Sequence, residues 1–282
     1  MKFLLVAISL IFPLGITTGC ERRSDSQVAD PAAGAASANP KTDADVISTV
    51  TLTGHTEEGR KKWEVRGDTA DLSADVVELS PVSATSFGAN EVDLTARKGH
   101  LTRATQDVKL NGDVVIVGSD GTTMTTASLN WNAQEEQVST EDLITITHPG
   151  MEVIGIGGIG FPPKKEMRLF KEVRVTLTDT DGGITVVTCN GPMEVDYGRM
   201  KIRFWDNVLV EEAKGTIRSD RLDVTIDKVT RQMEKATFWG NVQIHRGEQE
   251  ATAHRADYWQ MEERMALTGH PKLFSLAGPV VE

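Results

Sequence analysis

Apolar and polar residues alternate with period two along most of the chain after residue 46. Phe238, Gly240, Val242 and Ile244 fall on one side of their segment, and Trp239, Asn241, Gln243 and His245 on the other. Phe204, Val208 and Val210 repeat the pattern, with Asp206 as the exception. Half-buried antiparallel strands have this signature, because successive side chains point to opposite faces of a sheet. Turn signals separate the segments: Ser119-Asp120-Gly121, Asp181-Gly182-Gly183, Lys214-Gly215 and Arg246-Gly247. No stretch of the body has a convincing 3.6-residue period. The pattern predicts an all-β body, hairpin after hairpin stacked along one axis.

One motif recurs through this body. Its first half is an apolar-Asp/Asn-apolar triplet, as in Val92-Asp93-Leu94, Leu129-Asn130-Trp131, Val195-Asp196-Tyr197, Leu222-Asp223-Val224 and Ala256-Asp257-Tyr258. Its second half is a short β-rich strand placed after a polar or Gly turn, as in Gly112-Asp113-Val114, Lys171-Glu172-Val173, Asp206-Asn207-Val208 and Gly240-Asn241-Val242. Asp223 to Asp257 and Val208 to Val242 are both 34 residues, so two independent landmarks share one period. Val114 to Val173 is 59 residues, which fits two shorter units with Leu143–Ile146 as the middle strand. Alternation aims Val114, Ile116, Val173, Val175, Val208, Val210, Val242 and Ile244 inward as a line through successive strands, with Phe204 and Phe238 beside them. The interior is then either a filled structural core or a lengthwise groove for an apolar ligand. Composition does not separate the two.

The first 19 residues stand apart. Lys2 precedes an apolar stretch from Phe3 to Ile16, and Thr17-Thr18-Gly19 leads to Cys20. That stretch is shorter than the roughly 20 residues a bilayer span needs, and its layout is that of a secretory signal. The run ending at Cys20 resembles the lipobox of bacterial lipoproteins, which implies a lipid anchor on Cys20. Residues 20–45 are rich in Ala, Pro, Ser and Asp without apolar periodicity, and are expected to be a disordered tether with a reach of about 25–30 Å.

Composition narrows function. The 27 Val and 30 Thr suit strands. A net charge of −11, from 30 Lys+Arg against 41 Asp+Glu, argues against nucleic acid as a partner. Loss of Lys2 with the signal takes the charge to −12. Gly155-Ile156-Gly157-Gly158-Ile159-Gly160 matches G-x-G-x-x-G, but Phe161-Pro162-Pro163 follows at once and no helix develops, so bending of a sheet explains these glycines better than a dinucleotide. The histidines match no common zinc spacing, and His245 is expected to face solvent. Cys189 sits in a β-rich run without a nearby base, which fits a buried structural thiol. Lys164, Lys165 and Arg168 read as a solvated turn before they read as a phosphate site. The expectation is therefore no enzyme, no cofactor and no metal.

The repeated units resemble OstA-type repeats of the periplasmic lipopolysaccharide-transport proteins LptA and LptC. Asp206-Asn207-Val208 and Gly240-Asn241-Val242, each followed by a basic-Gly turn and an apolar-Asp triplet, carry the resemblance in the second half. In the first half it rests on a strand from Gly54 through Trp63 to Ala70, on Leu110-Asn111-Gly112-Asp113-Val114, and on the Gly-rich run at 153–161. The resemblance divides the body into an LptC-like part, 46–165, and an LptA/OstA-like part, 166–282, continuous with it. It implies an elongated twisted β-jellyroll, with two facing antiparallel sheets, partly open, that hold lipid A acyl chains between them. It implies edge-to-edge joining through terminal strands with LptA-like bridge proteins and the inner-membrane Lpt ABC transporter. A lipid anchor at Cys20, on the inner membrane before the outer, would replace the family's transmembrane helix. A structural or adhesive envelope β-repeat lipoprotein without a lipid ligand is the alternative.

Overall fold

The computed structural model describes residues 46–55, 59–71, 75–87 and 91–275. Cys20, the signal and the tether lie outside them. The chain enters with β1 (Val46–His55), β2 (Lys61–Asp71), β3 (Val76–Ser86), β4 (Val92–Ala96) and β5 (Lys98–Thr102). It continues through β6 (Val108–Gly118), β7 (Thr123–Asn132), β8 (Gln137–His148), β9 (Met151–Phe161) and β10 (Glu166–Thr178). Next come β11 (Ile184–Cys189), β12 (Met193–Asp196), β13 (Lys201–Glu212) and β14 (Gly215–Ile226). The body ends with β15 (Met233–Arg246), β16 (Gln249–Trp259), β17 (Arg264–Thr268) and β18 (Lys272–Ser275). One 3-10 turn, Pro162–Lys164, joins β9 to β10. No helix among the described residues is long and apolar enough to cross a membrane.

The pairing is an uninterrupted antiparallel meander. Each rung pairs with the one before and after it, from β1–β2 through β9–β10 to β15–β16. Three rungs are made of two short strands laid end to end: β4 with β5, β11 with β12, and β17 with β18. Among the described residues β1 pairs only with β2, and β17 and β18 only with β16, so one edge stands at each end. The all-β class and the elongated β-jellyroll expected from the sequence are what the chain forms.

The Gly/Asp/Asn motif has a different place from the one expected. Gly112-Asp113, Asp206-Asn207 and Gly240-Asn241 are not turns between strands but lie within β6, β13 and β15. Both residues of each pair have positive φ, for example 66° and 52° at Asp206 and Asn207. The registers shift at the same points: Trp205 faces Arg221 and Val208 faces Ser219, so β13 uses two residues where β14 uses only Asp220. These are β-bulges, which bend a strand and sharpen its twist. Asn and Asp tolerate the left-handed region better than other L-residues, and Asn241 is also held from the neighbouring strand, donating to Asp220 at 2.9 Å. Asp206, the exception in the alternation, is the bulge itself. The strand expected from Gly54 through Trp63 to Ala70 is likewise a hairpin, with Gly54 opposite Trp63 on β1 and β2.

Inward side chains on both sides of the bulges form one continuous core, from Val77 on β3 to Ala256 on β16. The G-x-G-x-x-G run lies inside β9, where no helix follows. A Cβ on Gly158 would stand 2.8 Å from Ile144 Cδ1, so the glycine lets side chains of the neighbouring strand approach the backbone.

Residue 165 falls at the β9–β10 junction, where Leu169 pairs with Gly158 and Val175 with Val153 on either side of a bulge between Lys171 and Arg174. Splitting the chain there exposes two strand edges and an apolar cross-section. Fragments 46–165 and 166–282, made separately, are expected to associate or precipitate in analytical ultracentrifugation; two monomeric, soluble halves would contradict one continuous stack.

Candidate functional site

The feature that runs the length of the molecule is an apolar row. From β2 to β9 the residues opposite one another are Val65, Ala84, Leu94, Ile116, Met124, Ile146 and Val153. The row continues from β10 to β18 through Val175, Val187, Val210, Ile217, Ile244, Ala251 and Leu273. No polar residue interrupts it on any rung. A second row lies across the bulges, where Leu169, Met193, Phe204, Leu222, Phe238, Ala256 and Leu267 stand side by side from β10 to β17. The two rows are the inner surfaces of the two halves of the folded sheet.

Burial along the first row follows a gradient. Ile146 and Val153 on neighbouring rungs and Val175 beyond them are all 0% exposed. Toward the ends Val65, Ala84, Ile217 and Ile244 are half-buried. On the last rung Leu273 reaches 75% exposure, and Phe274 next to it on β18 and Met265 on β17 are exposed as well. Among the described residues the interior is most covered in the middle and least covered at β18.

The residues expected to line a groove are all on the inner side, but not on one line. Ile116, Val175, Val210 and Ile244 belong to the first row. Val114, Val173, Val208 and Val242 lie two positions nearer the bulge, opposite Thr126, Cys189, Ser219 and Ala253. Phe204 and Phe238 lie beyond it in the second row, joined through Leu222. Sequence reasoning missed Met124, Val153, Val187 and Ile217, which supply the rungs between.

Other candidates resolve into structural roles. Cys189 is buried, and burial pushes its thiol up to about 11 against hydrogen bonds from the Trp205 and Gly191 backbone. A thiol held protonated in this way is a poor nucleophile. His245 is on the outer face, with Nδ1 3.1 Å from Glu250. Lys164 stacks over the Phe161 ring at 4.7 Å, and Arg168 faces Glu194 at 3.7 Å, so that basic cluster caps the β9–β10 turn. Among the described residues no group of three or more His, Cys, Asp or Glu could hold a metal ion.

The outer face of the last rungs carries its own order. Trp205, Arg221, Trp239 and Arg255 stand opposite one another across β13 to β16. Arg221 lies over Trp205 at 4.2 Å and Arg255 over Trp239 at 4.3 Å, contacts of about 0.5–2 kcal/mol each. Each arginine also holds the Asp of the apolar-Asp-apolar triplet two residues on, Asp223 and Asp257. This is the physical content of the 34-residue period: a Trp, an Arg and an Asp return together. At Asp257 burial works against the charge, but hydrogen bonds from Arg255, Lys235 and Thr237 outweigh it and hold the carboxyl down at about 2.

A long antiparallel meander, bulged in mid-strand and apolar throughout its interior, defines an elongated β-jellyroll built from repeats. Residues 11–179 match the LptC-related lipopolysaccharide-assembly family, and the chain belongs to it. Residues 191–277 match lipopolysaccharide-transport proteins of the LptA and LptD amino-terminal type. No curated protein matches the chain. The two matched segments are separated by little more than β11, within the unbroken meander. Together they give the chain a role in lipopolysaccharide transport in the periplasm.

Because the folded-state value of Asp257 lies below the ordinary carboxyl range, its contribution is complete above about pH 5 and is lost as pH falls through about 2. Asp257→Asn is expected to cost about 2 kcal/mol at pH 7. That cost should shrink toward pH 2 in urea unfolding followed by tryptophan fluorescence. A cost independent of pH would assign Asp257 a packing role only.

Proposed function

We propose that the chain binds lipopolysaccharide by holding its lipid A acyl chains between the two halves of the folded sheet. It receives the lipid from the inner-membrane Lpt ABC transporter and passes it toward the outer membrane. The observation that carries this reading is the apolar row that crosses every rung from Val65 to Leu273 without a polar interruption. Burial of acyl chains at about 0.8 kcal/mol per methylene is the source of affinity, since an acidic body attracts a phosphorylated lipid poorly. Handover runs through the terminal strands, whose outer edges are open among the described residues. A partner strand laid on β18 would pair its open backbone groups, cover Leu273 and Phe274, and extend the row into an LptA-like bridge protein. No residue constellation calls for catalysis, and the chain acts as a conduit. Cys20 supplies the lipid anchor, on the inner membrane, and the tether lets the body reach its partners.

One observation favours a second reading, a purely structural β-repeat lipoprotein: Ile146, Val153 and Val175 are so fully buried that the middle of the interior is filled. The transport reading requires the two halves to part there when lipid enters.

A photo-crosslinking residue at Ile244, Val208 or Val242 in lipopolysaccharide-producing cells is expected to capture the lipid, and one at Gln243 or His245 is not. Capture from neither face, in a protein that still folds, would favour the structural reading; equal capture from both would mean that the ligand does not use the interior. Separately, Cys20→Ala is expected to move the protein from the membrane to the soluble periplasmic fraction. A variant that stays membrane-bound would remove the anchor from the scheme.

A further inference from the structure

The outer face of the sheet carries a cleft that the interior row does not use. Arg174, Thr188, Leu209 and Arg218 stand side by side across β10, β11, β13 and β14. The residues flanking them in sequence, among them Val173, Val175, Val187, Val208 and Val210, are buried in the core, so this row faces outward. Three backbone irregularities border it: Glu172, with φ 52° on β10, the break after Cys189, and Asn207, with φ 52° on β13. Their backbones interlock, because the Glu172 N–H donates to the Asn190 carbonyl at 2.9 Å and the Asn190 N–H to the Asp206 carbonyl at 2.9 Å. The result is a cleft of about 280 Å³ lined by Arg174 and Arg218, with Asn190, Asn207 and Glu172.

Arg168, Arg203, Arg221 and Arg255 on these and neighbouring strands each face a carboxylate. The side chains of Arg174 and Arg218 make no ion pair or hydrogen bond among the described residues. Two guanidinium groups without a carboxylate partner therefore border one cleft. Guanidinium forks match the oxygens of a phosphate bidentately. The Asn190 and Asn207 amides can donate to or accept from sugar hydroxyls, and Glu172 can only accept, which suits a ligand whose far side carries O–H donors.

We propose that this cleft binds a phosphorylated sugar, with the phosphate between Arg174 and Arg218 and the sugar hydroxyls toward Asn190, Asn207 and Glu172. The site is on the opposite side of the sheet from the interior and does not depend on what the interior holds.

The test is a titration of the isotope-labelled body with glucose 1-phosphate and, separately, with inorganic phosphate, followed through the backbone amides of Thr188, Asn190 and Leu209. Glucose 1-phosphate is expected to shift these amides at lower concentration than inorganic phosphate does. Arg174→Gln and Arg218→Gln are each expected to weaken binding about tenfold or more, because each removes a charge-assisted contact. Glu172→Gln should leave inorganic phosphate bound at least as tightly. The three side chains are exposed, so the remaining amide spectrum reports an intact fold in each variant. Equal affinity for the two probes would overturn the assignment to a sugar. Unshifted amides, or undiminished binding by the double arginine variant, would overturn the site. Lipid capture from Ile244 should be the same in the double variant, which separates failure here from failure of the conduit.

Discussion

Everything in this molecule depends on bending each long rung without turning its apolar side outward. A strand that continued straight would make a flat sheet with one apolar face in water. The bend is made by left-handed residue pairs, Gly112-Asp113, Asp206-Asn207 and Gly240-Asn241, and it aligns from rung to rung because a bulge on one strand forces a register shift in its neighbour. A non-glycine residue in that region costs about 1–2 kcal/mol. The cost is smallest for Asn and Asp, and those are the residues that accompany or replace glycine at these bends. The inner face on either side of the bend then closes against the other half, and the burial of Phe204, Val208, Phe238 and Val242 offsets the strain.

The division of chemistry between the two faces follows from the same geometry. Inward positions carry almost only apolar atoms, so the interior has no intrinsic place for charge. The outward positions carry Arg, Asp and Trp in alternating rows, where ion pairs and cation–π contacts keep a broad sheet soluble. Asp257 marks the boundary. It is buried, yet three donors converge on it, so its charge persists where an unpartnered carboxylate would take up a proton.

How much of this was legible in the sequence depended on phase. On β6, β10, β13 and β15 the inward residues step by four across the bulge, as from Phe204 to Val208 and from Phe238 to Val242, so period two survives and their inward faces could be read directly. On β7, β9 and β14 the step is three: Thr126 to Leu129, Gly155 to Gly158, Ser219 to Leu222. There a period-two reading loses phase in mid-strand, and Met124, Val153 and Ile217 escaped notice. The same bulge made Gly-Asn and Asp-Asn look like turns, since the composition of a turn and of a bulge is the same: both need residues that accept positive φ. The rows themselves were beyond reach, because cross-strand register is set by bulges and hairpin loops and by no single segment.

A meander of this kind is close to one-dimensional, each rung held by its two neighbours. Resistance to opening should therefore be greatest in the middle and least at the ends, where one neighbour is missing. The burial gradient has that form, from the fully covered Ile146, Val153 and Val175 to the exposed Leu273. Under the transport reading proposed above, a lipid would meet the lowest barrier at the terminal rungs, which among the described residues have one neighbour instead of two. Having one neighbour among the described residues thus accounts both for the exposed apolar side chains of a terminal rung and for the backbone groups that, in the proposed scheme, a partner strand would pair.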